Sequence, residues 1–310
     1  MKIGDLEIKI PIIQGGMAIK ASMSTLAAAV CNEGGIGVIA ATGITTLLLK
    51  EEIKKAQDNI KNKTGALGVN IMFAATNFTE QVKASIDSGI DVIITGAGFS
   101  RDIFELVKGT NVKVFPIVSS VKLAKLAEKL GASALVVEGG NAGGHLGTDK
   151  DSWDIVADIV AAVKIPIFGA GGIITPEDGK RMLDLGASGI QMGSRFIATL
   201  ECEVSNKFKE AYLKIKKGDV VKIMSSAGLP ANTIKNSIAK LILSEDESIK
   251  SNQCDQCLKH CNQSFCVKKR LILGHEGDLE NGLLFAGRDA WRINSILSVK
   301  EVFENFKIIF

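Results

Sequence analysis

The chain has 310 residues, 46% of them hydrophobic but only 5% aromatic, with 32 glycines, which suits an α/β protein whose parallel core of Ile, Val, Leu and Ala is broken by turn glycines. Its 37 basic and 34 acidic residues leave a net charge of +3 spread without a basic stripe, so no nucleic-acid partner is expected. Asp5 and Glu7 stand where a signal peptide needs an apolar run, and the longest uncharged stretch, Gly34 to Leu49, is too short and glycine-interrupted to span a bilayer; a soluble cytoplasmic protein with no membrane partner is the expectation.

Short β-branched runs alternate with amphipathic stretches from the N-terminus to about Leu200. The predicted strands are Pro11–Gly16, Ile36–Ala40, Leu67–Phe73, Val92–Ala97, Lys113–Val118, Ala134–Glu138, Pro166–Gly171 and Gly189–Phe196. Helix-like stretches between them include Ser22–Glu33, Thr45–Lys61, Val121–Leu130 and Ser152–Val163. Three helices are predicted to end at a glycine just before the next strand, at Gly89, Gly131 and Gly186, where a left-handed residue closes off the last free carbonyls. Eight successive β-α units predict a (β/α)8 TIM barrel over residues 1–203, with a doubly wound open sheet as the structural alternative. After Glu201 the pattern turns Lys- and Ser-rich, which predicts a helical appendage over 204–274. A final segment, 275–310, is expected to return to the barrel through a helix at Val299 to Phe306.

In a barrel the loops that follow the strands carry function, and phosphate commonly binds after strands seven and eight. Those strands end in Gly169-Ala170-Gly171-Gly172 and Gln191-Met192-Gly193-Ser194, where backbone N–H groups can converge on an anion without a Cβ in the way. Gly35-Ile36-Gly37-Val38-Ile39-Ala40 fits a dinucleotide fingerprint in letters only, because it follows a helix and opens a strand. The sixth strand runs into Glu138-Gly139-Gly140-Asn141-Ala142-Gly143-Gly144-His145-Leu146-Gly147. An imidazole set among glycines at that end of a barrel has little packing to explain it and can exchange a proton near neutral pH, so His145 is the candidate catalytic residue. Glu138 is read either as a hydrogen-bond partner of a bound cofactor or as a satisfied polar group.

Taken together, Pro11-Ile12-Ile13-Gln14-Gly15-Gly16-Met17-Ala18, Gly68-Val69-Asn70, the Glu138–Gly147 run, Gly169-Ala170-Gly171-Gly172-Ile173 and Gln191-Met192-Gly193-Ser194-Arg195-Phe196 closely resemble the nitronate monooxygenase family, formerly called 2-nitropropane dioxygenases. That family includes flavin-dependent enoyl-acyl-carrier-protein reductases. The resemblance covers about Ile10 to Leu200 and implies an FMN cofactor contacted by Gly15, Met17, Ala18, Asn70 and Gln191, with Gly171, Gly172, Gly193 and Ser194 at its phosphate and His145 catalytic; Glu138 and Gly143, in the sixth-strand loop, join them as candidate cofactor-binding residues. It implies oxidation of an alkyl nitronate by oxygen as the leading activity and NAD(P)H-dependent reduction of an enoyl thioester as the alternative. NAD(P)H is then a candidate donor and a homodimer a candidate assembly. A third reading is a non-catalytic flavin-binding or sensor module.

Beyond the resemblance lies Cys254-x2-Cys257-x3-Cys261-x4-Cys266 with His260 inside it. These four are candidate metal ligands, yet the spacing is neither a standard zinc nor a ferredoxin pattern. No metal is therefore assigned, and thiols that support the appendage are the preferred expectation. Cys31 and Cys202 read as core residues.

Overall fold

The runs rich in Ile and Val form strands buried on both faces. In the computed structural model, which describes residues 1–17, 19–61, 64–251 and 253–310, a short antiparallel hairpin of β1 (Lys2–Ile3) and β2 (Leu6–Glu7) comes first. Ile3 and Ile8 pack with Ile13, Ile36, Phe115 and Phe168, so the hairpin plugs the end of the barrel where the strands begin. The barrel strands then follow as β3 (Ile12–Gln14), β4 (Ile36–Ala40), β5 (Ala66–Met72), β6 (Val92–Gly96), β7 (Lys113–Val118) and β8 (Leu135–Glu138). A two-residue strand, β9 (Gly144–His145), intervenes before β10 (Ile167–Ala170) and β11 (Gly189–Met192) complete the circle.

All eight barrel strands pair in parallel, and β11 returns to β3 with Ile190 opposite Ile12, which closes the barrel. The fold is a TIM barrel, and the open-sheet alternative is excluded by that last pairing. Between the strands lie α1 (Ser24–Asn32), α2 (Thr46–Asn59), α3 (Phe78–Asp87), α4 (Asp102–Leu106), α5 (Val121–Lys129), α6 (Ser152–Val160) and α7 (Pro176–Asp184). Gly89, Gly131 and Gly186 all take positive φ, the left-handed cap that the recurring helix-Gly-strand pattern predicts.

Two expectations need correction. The eighth strand ends at Met192, not Phe196: beyond Gly193 the chain coils into the short α8 (Ser194–Ile197), which buries Arg195, Phe196 and Ile197. Apolar residues in so short a run fit a strand or a helix face equally well. The segment 204–274 is not wholly helical. Besides α9 (Asn206–Lys214), α10 (Ser237–Leu243) and α11 (Val267–Glu276) it carries an antiparallel pair, β12 (Val220–Met224) and β13 (Pro230–Ile234). Val220, Val221 and Ile223 favour extended backbone, and Ser225–Pro230 supplies the turn; the lysines around them obscure the pattern. β13 also pairs with β9, so a three-stranded sheet stands over the mouth of the barrel.

The last helix, α12 (Val299–Phe306), opens with a capping box between Ser298 and Glu301 and packs against α1 and α7. That is the position of an eighth barrel helix, which α8 is too short to fill. Phe303 is buried, lies 6.3 Å from Phe196 between ring centres, and fills the space that Gly35 leaves open. Phe303→Ala is expected to cost about 3–5 kcal/mol in urea unfolding. A loss below about 1 kcal/mol, the scale of an ordinary mutation, would show that the barrel closes without this helix.

Candidate active site

The carboxyl ends of the barrel strands surround a cavity of about 450 Å³, and it is lined by Gly15, Met17, Asn70, Glu138, Gly143, His145, Gly171, Gly172, Gln191, Gly193 and Ser194. These are the candidate residues from all five sequence motifs; Ala18 lies outside the described residues. The loop after β3 is fixed by a buried Gln14, whose amide donates to Ser22 Oγ at 2.9 Å and accepts from Val38 N at 3.0 Å. Ser22 Oγ in turn accepts from Met17 N at 2.8 Å. Gly16 meets Asn70 so closely that a Cβ would fall 2.2 Å from Asn70 Cβ, so the first and third strand ends touch and share this wall.

Gly171 and Gly172 both have positive φ, +105° and +76°, and a Cβ on either would strike the Asn141 side chain. Asn141 exchanges hydrogen bonds with Ser152, whose hydroxyl donates to Gly171 O at 2.8 Å. The seventh-strand turn is thereby clamped to the sixth-strand loop. Gly193, by contrast, faces open space: a Cβ there would meet only Met17, at 3.8 Å. Ser194 Oγ accepts from Gly287 N at 2.9 Å. Among the described residues Lys268 is the one Lys or Arg that lines the cavity, and it pairs with Asp255 at 2.7 Å. An anion at the two glycine turns would therefore rest on backbone N–H dipoles.

Gln191 Oε1 is buried at the cavity wall without a hydrogen-bond partner. A buried amide oxygen left unpaired is costly, and a flavin offers the ring and ribityl donors it lacks. With the open face of Gly193, this makes the residues present fit a flavin.

Glu138 ends β8 at the cavity wall, half-buried, and among the described residues its carboxyl makes no hydrogen bond. Burial pushes its carboxyl up to about 8. His145 is pushed the other way, down to about 4, by the same loss of solvent. The imidazole is thus neutral at pH 7, and its Nε2 lies 2.9 Å from Ser225 Oγ. The Phe285 ring meets it edge-on at 5.4 Å and sets its plane. Asn232 Nδ2 donates to Gly140 O at 2.9 Å and Ala142 O at 2.7 Å, which ties the loop carrying His145 to β13. A Tyr212 hydroxyl donated to Phe285 O anchors the other side.

Ser225, Asn232, Tyr212 and Phe285 were not legible as site residues. Ser225-Ser226-Ala227-Gly228 reads only as a turn. Asp289, also missed, lines the cavity beside Gly172 with a carboxyl raised by burial. Cys31 and Cys202 are buried. Cys257 reaches the cavity wall, and among the described residues no three His, Cys, Asp or Glu side chains converge on a single-ion site. No described helix is long and apolar enough to cross a membrane.

The family described as nitronate monooxygenase matches residues 1–62 and 48–307 of the chain. The chain belongs to that family. It is accordingly an enzyme of a family of flavin oxidoreductases, typically dependent on FMN. FabK from Thermotoga maritima superposes with a TM-score of 0.87 at 31% identity, covering 98% of this chain and 93% of its own. A Mycobacterium tuberculosis protein named (3aS,4S,5R,7aS)-5-hydroxy-7a-methyl-1-oxo-octahydro-1H-indene-4-carboxyl-CoA dehydrogenase is 25% identical over 96% of this chain and 92% of that protein. A probable nitronate monooxygenase of Staphylococcus aureus strain Newman is 30% identical over 74% of this chain and 77% of that protein.

The raised Glu138 carboxyl sets a pH test with a definite sign. The unfolded chain ionises near 4.5 while the native chain holds its proton to about 8, so the stability this group contributes is full below 4.5 and lost as pH rises through 8. Glu138→Gln cannot titrate. Its melting temperature is expected to gain on wild type between pH 5 and pH 8; an equal gap at both would show that the carboxyl is not held neutral.

Proposed function

We propose that the protein is an FMN-dependent oxidoreductase that reduces the double bond of an enoyl thioester with hydride from NADH or NADPH. The observation that carries this reading is the shape of the cavity beyond the strand ends. Leu258, Val267, Leu271 and Leu283, all from the segment that follows the barrel, extend its wall as an apolar face, which gives an acyl chain a place to lie. The likeness to the Mycobacterium CoA dehydrogenase, a thioester enzyme by name, spans nearly the whole chain and so includes that wall.

FMN, when bound, would accept hydride from the nicotinamide and pass it to the substrate. Gln191, Asn70 and the Gly15–Met17 loop would orient its ring and ribityl chain, and Gly171, Gly172, Gly193 and Ser194 would hold its phosphate. A neutral His145 carries one ring proton. Its place between Ser225 and Phe285 suits an imidazole that donates a hydrogen bond to the thioester carbonyl, where negative charge builds as hydride reaches the β-carbon. The sheet of β9, β13 and β12 over the mouth keeps water from that charge.

Oxidation of a nitronate by oxygen, the leading expectation from sequence, is the second reading. The family description and the Staphylococcus relative favour it, and a nitro group is an equally good acceptor for His145.

Anaerobic mixing separates the two. Bleaching of the flavin by NADH or NADPH, followed by reoxidation with a medium-chain enoyl thioester, is the expected result. Bleaching by an alkyl nitronate with none by either nicotinamide would overturn the thioester reading. Flavin released by heat should be FMN. His145→Ala should retain it and lose turnover roughly a hundredfold, and unchanged rates would return His145 to a packing role.

A further inference from the structure

The four cysteines after the barrel are left unused by the flavin site, and the folded chain gathers them. Cys254, Cys257, Cys261 and Cys266 all line one small pocket, and each is a free thiol. From Lys250 to Cys266 the described residues form no helix and no strand beyond a single bridge of Leu258 to Ala75. Among the described residues of that run Phe265 is the one buried side chain. A stretch of this length with no core of its own is unusual in a compact domain unless something ties it together. Backbone bonds hold it only at points: Thr76 N to Cys257 O, Lys259 N to Ala74 O and Asn262 N to Ser226 O.

Two backbone N–H groups in this stretch point at sulfur. Gln256 and Gln263 take left-handed conformations, φ 49° and 57°, which cost a residue with a Cβ and persist where the surroundings require them. Gln256 N donates to Cys254 Sγ and Lys269 N to Cys266 Sγ, both at 3.4 Å. The Cys266 bond caps the first turn of α11, and the Cys254 bond turns a loop N–H toward sulfur, the kind of backbone contact that stabilises a thiolate ligand. Lys268 lines the same pocket together with its ion-pair partner Asp255, 2.7 Å away.

The thiols do not converge on one point, since no described group of three meets the requirement for a single ion. A tetrahedral zinc needs all four sulfurs within about 2.3 Å of one atom. Four thiols that line one pocket without meeting at a point instead suit a body made of several metal atoms. We propose that Cys254, Cys257, Cys261 and Cys266 bind one iron–sulfur cluster, each as a thiolate. Its place is the wall of the flavin cavity, because Cys257, Leu258, Val267 and Lys268 line both spaces.

The test is purification of the full chain without oxygen, reconstitution with ferric iron, a thiol reductant and sulfide, and separate assays of iron, acid-labile sulfide, zinc and flavin. Iron and sulfide in equal proportion, with a visible absorbance beyond that of flavin, are expected. Cys257→Ser and Cys261→Ser should lose both while keeping flavin, and Cys31→Ser should lose neither. Absence of iron and sulfide from the wild type after reconstitution would overturn the proposal whatever the variants do. So would stoichiometric zinc without sulfide, or wild-type iron loading in the Cys257→Ser and Cys261→Ser proteins. Because iron and flavin are measured apart, the result stands independently of the substrate.

Discussion

The pairing of β13 with β9, Ala231 opposite His145 and Asn232 opposite Gly144, is the constraint on which the site depends. The loop after the sixth barrel strand is rich in glycine, and glycine loses more freedom on ordering than any other residue. Left alone, that loop would hold an imidazole loosely. Two backbone residues in register, with the Asn232 amide reaching Gly140 and Ala142, fix it over the cavity. The same strand brings Ser225 to His145 through its turn. A segment outside the barrel thus sets the position of the candidate catalytic group inside it.

Burial without a charge partner then determines the protonation of the site. Loss of solvent disfavours whichever form is charged, so it raises Glu138 to about 8 and lowers His145 to about 4. Between those limits both groups are neutral and the deep cavity carries no side-chain charge from either. For His145 the linkage runs opposite to that of Glu138: its contribution to stability is full above 6.5 and lost as pH falls through about 4. A neutral site suits a reaction in which charge appears only at the carbonyl or nitro group, because a donor fixed in low dielectric interacts strongly with charge that develops there.

The barrel was legible because its signals are local. Ile36–Ala40 and Lys113–Val118 match their strands residue for residue, and helix-ending glycines at Gly89, Gly131 and Gly186 mark three of the returns. The cavity residues could be found because motif after motif falls at the same end of a strand, and topology then brings them together. Ser225, Asn232 and Phe285 could not, since each depends on a pairing between residues some 80 or more positions apart (|i−j| of 80, 92 and 90 for the Ser225 and Asn232 bonds). The hairpin of β12 and β13 was hidden by its lysines, and the role of Gln14 and Ser22 by their ordinary appearance in an apolar run.

The parts that escaped the sequence share one origin in the chain. The eighth β-α unit is split: β11 ends at Met192, and α12, which takes the eighth helix position, begins at Val299. All that lies between from α9 to α11 is inserted within a single unit of a barrel that closes without it. Its tethers are a bridge of Thr199 to Leu297, where the chain leaves and returns side by side, and the shared core of Phe208, Tyr212, Leu284 and Ala286 with barrel residues. Because the ends of the insertion meet, its length and content can change with little strain on strand pairing. That same insertion supplies the partner of His145, the apolar wall and the four thiols. On the thioester reading, the residues that would tell one acyl chain from another therefore lie outside the barrel motifs, which point to a flavin site and leave the acceptor open.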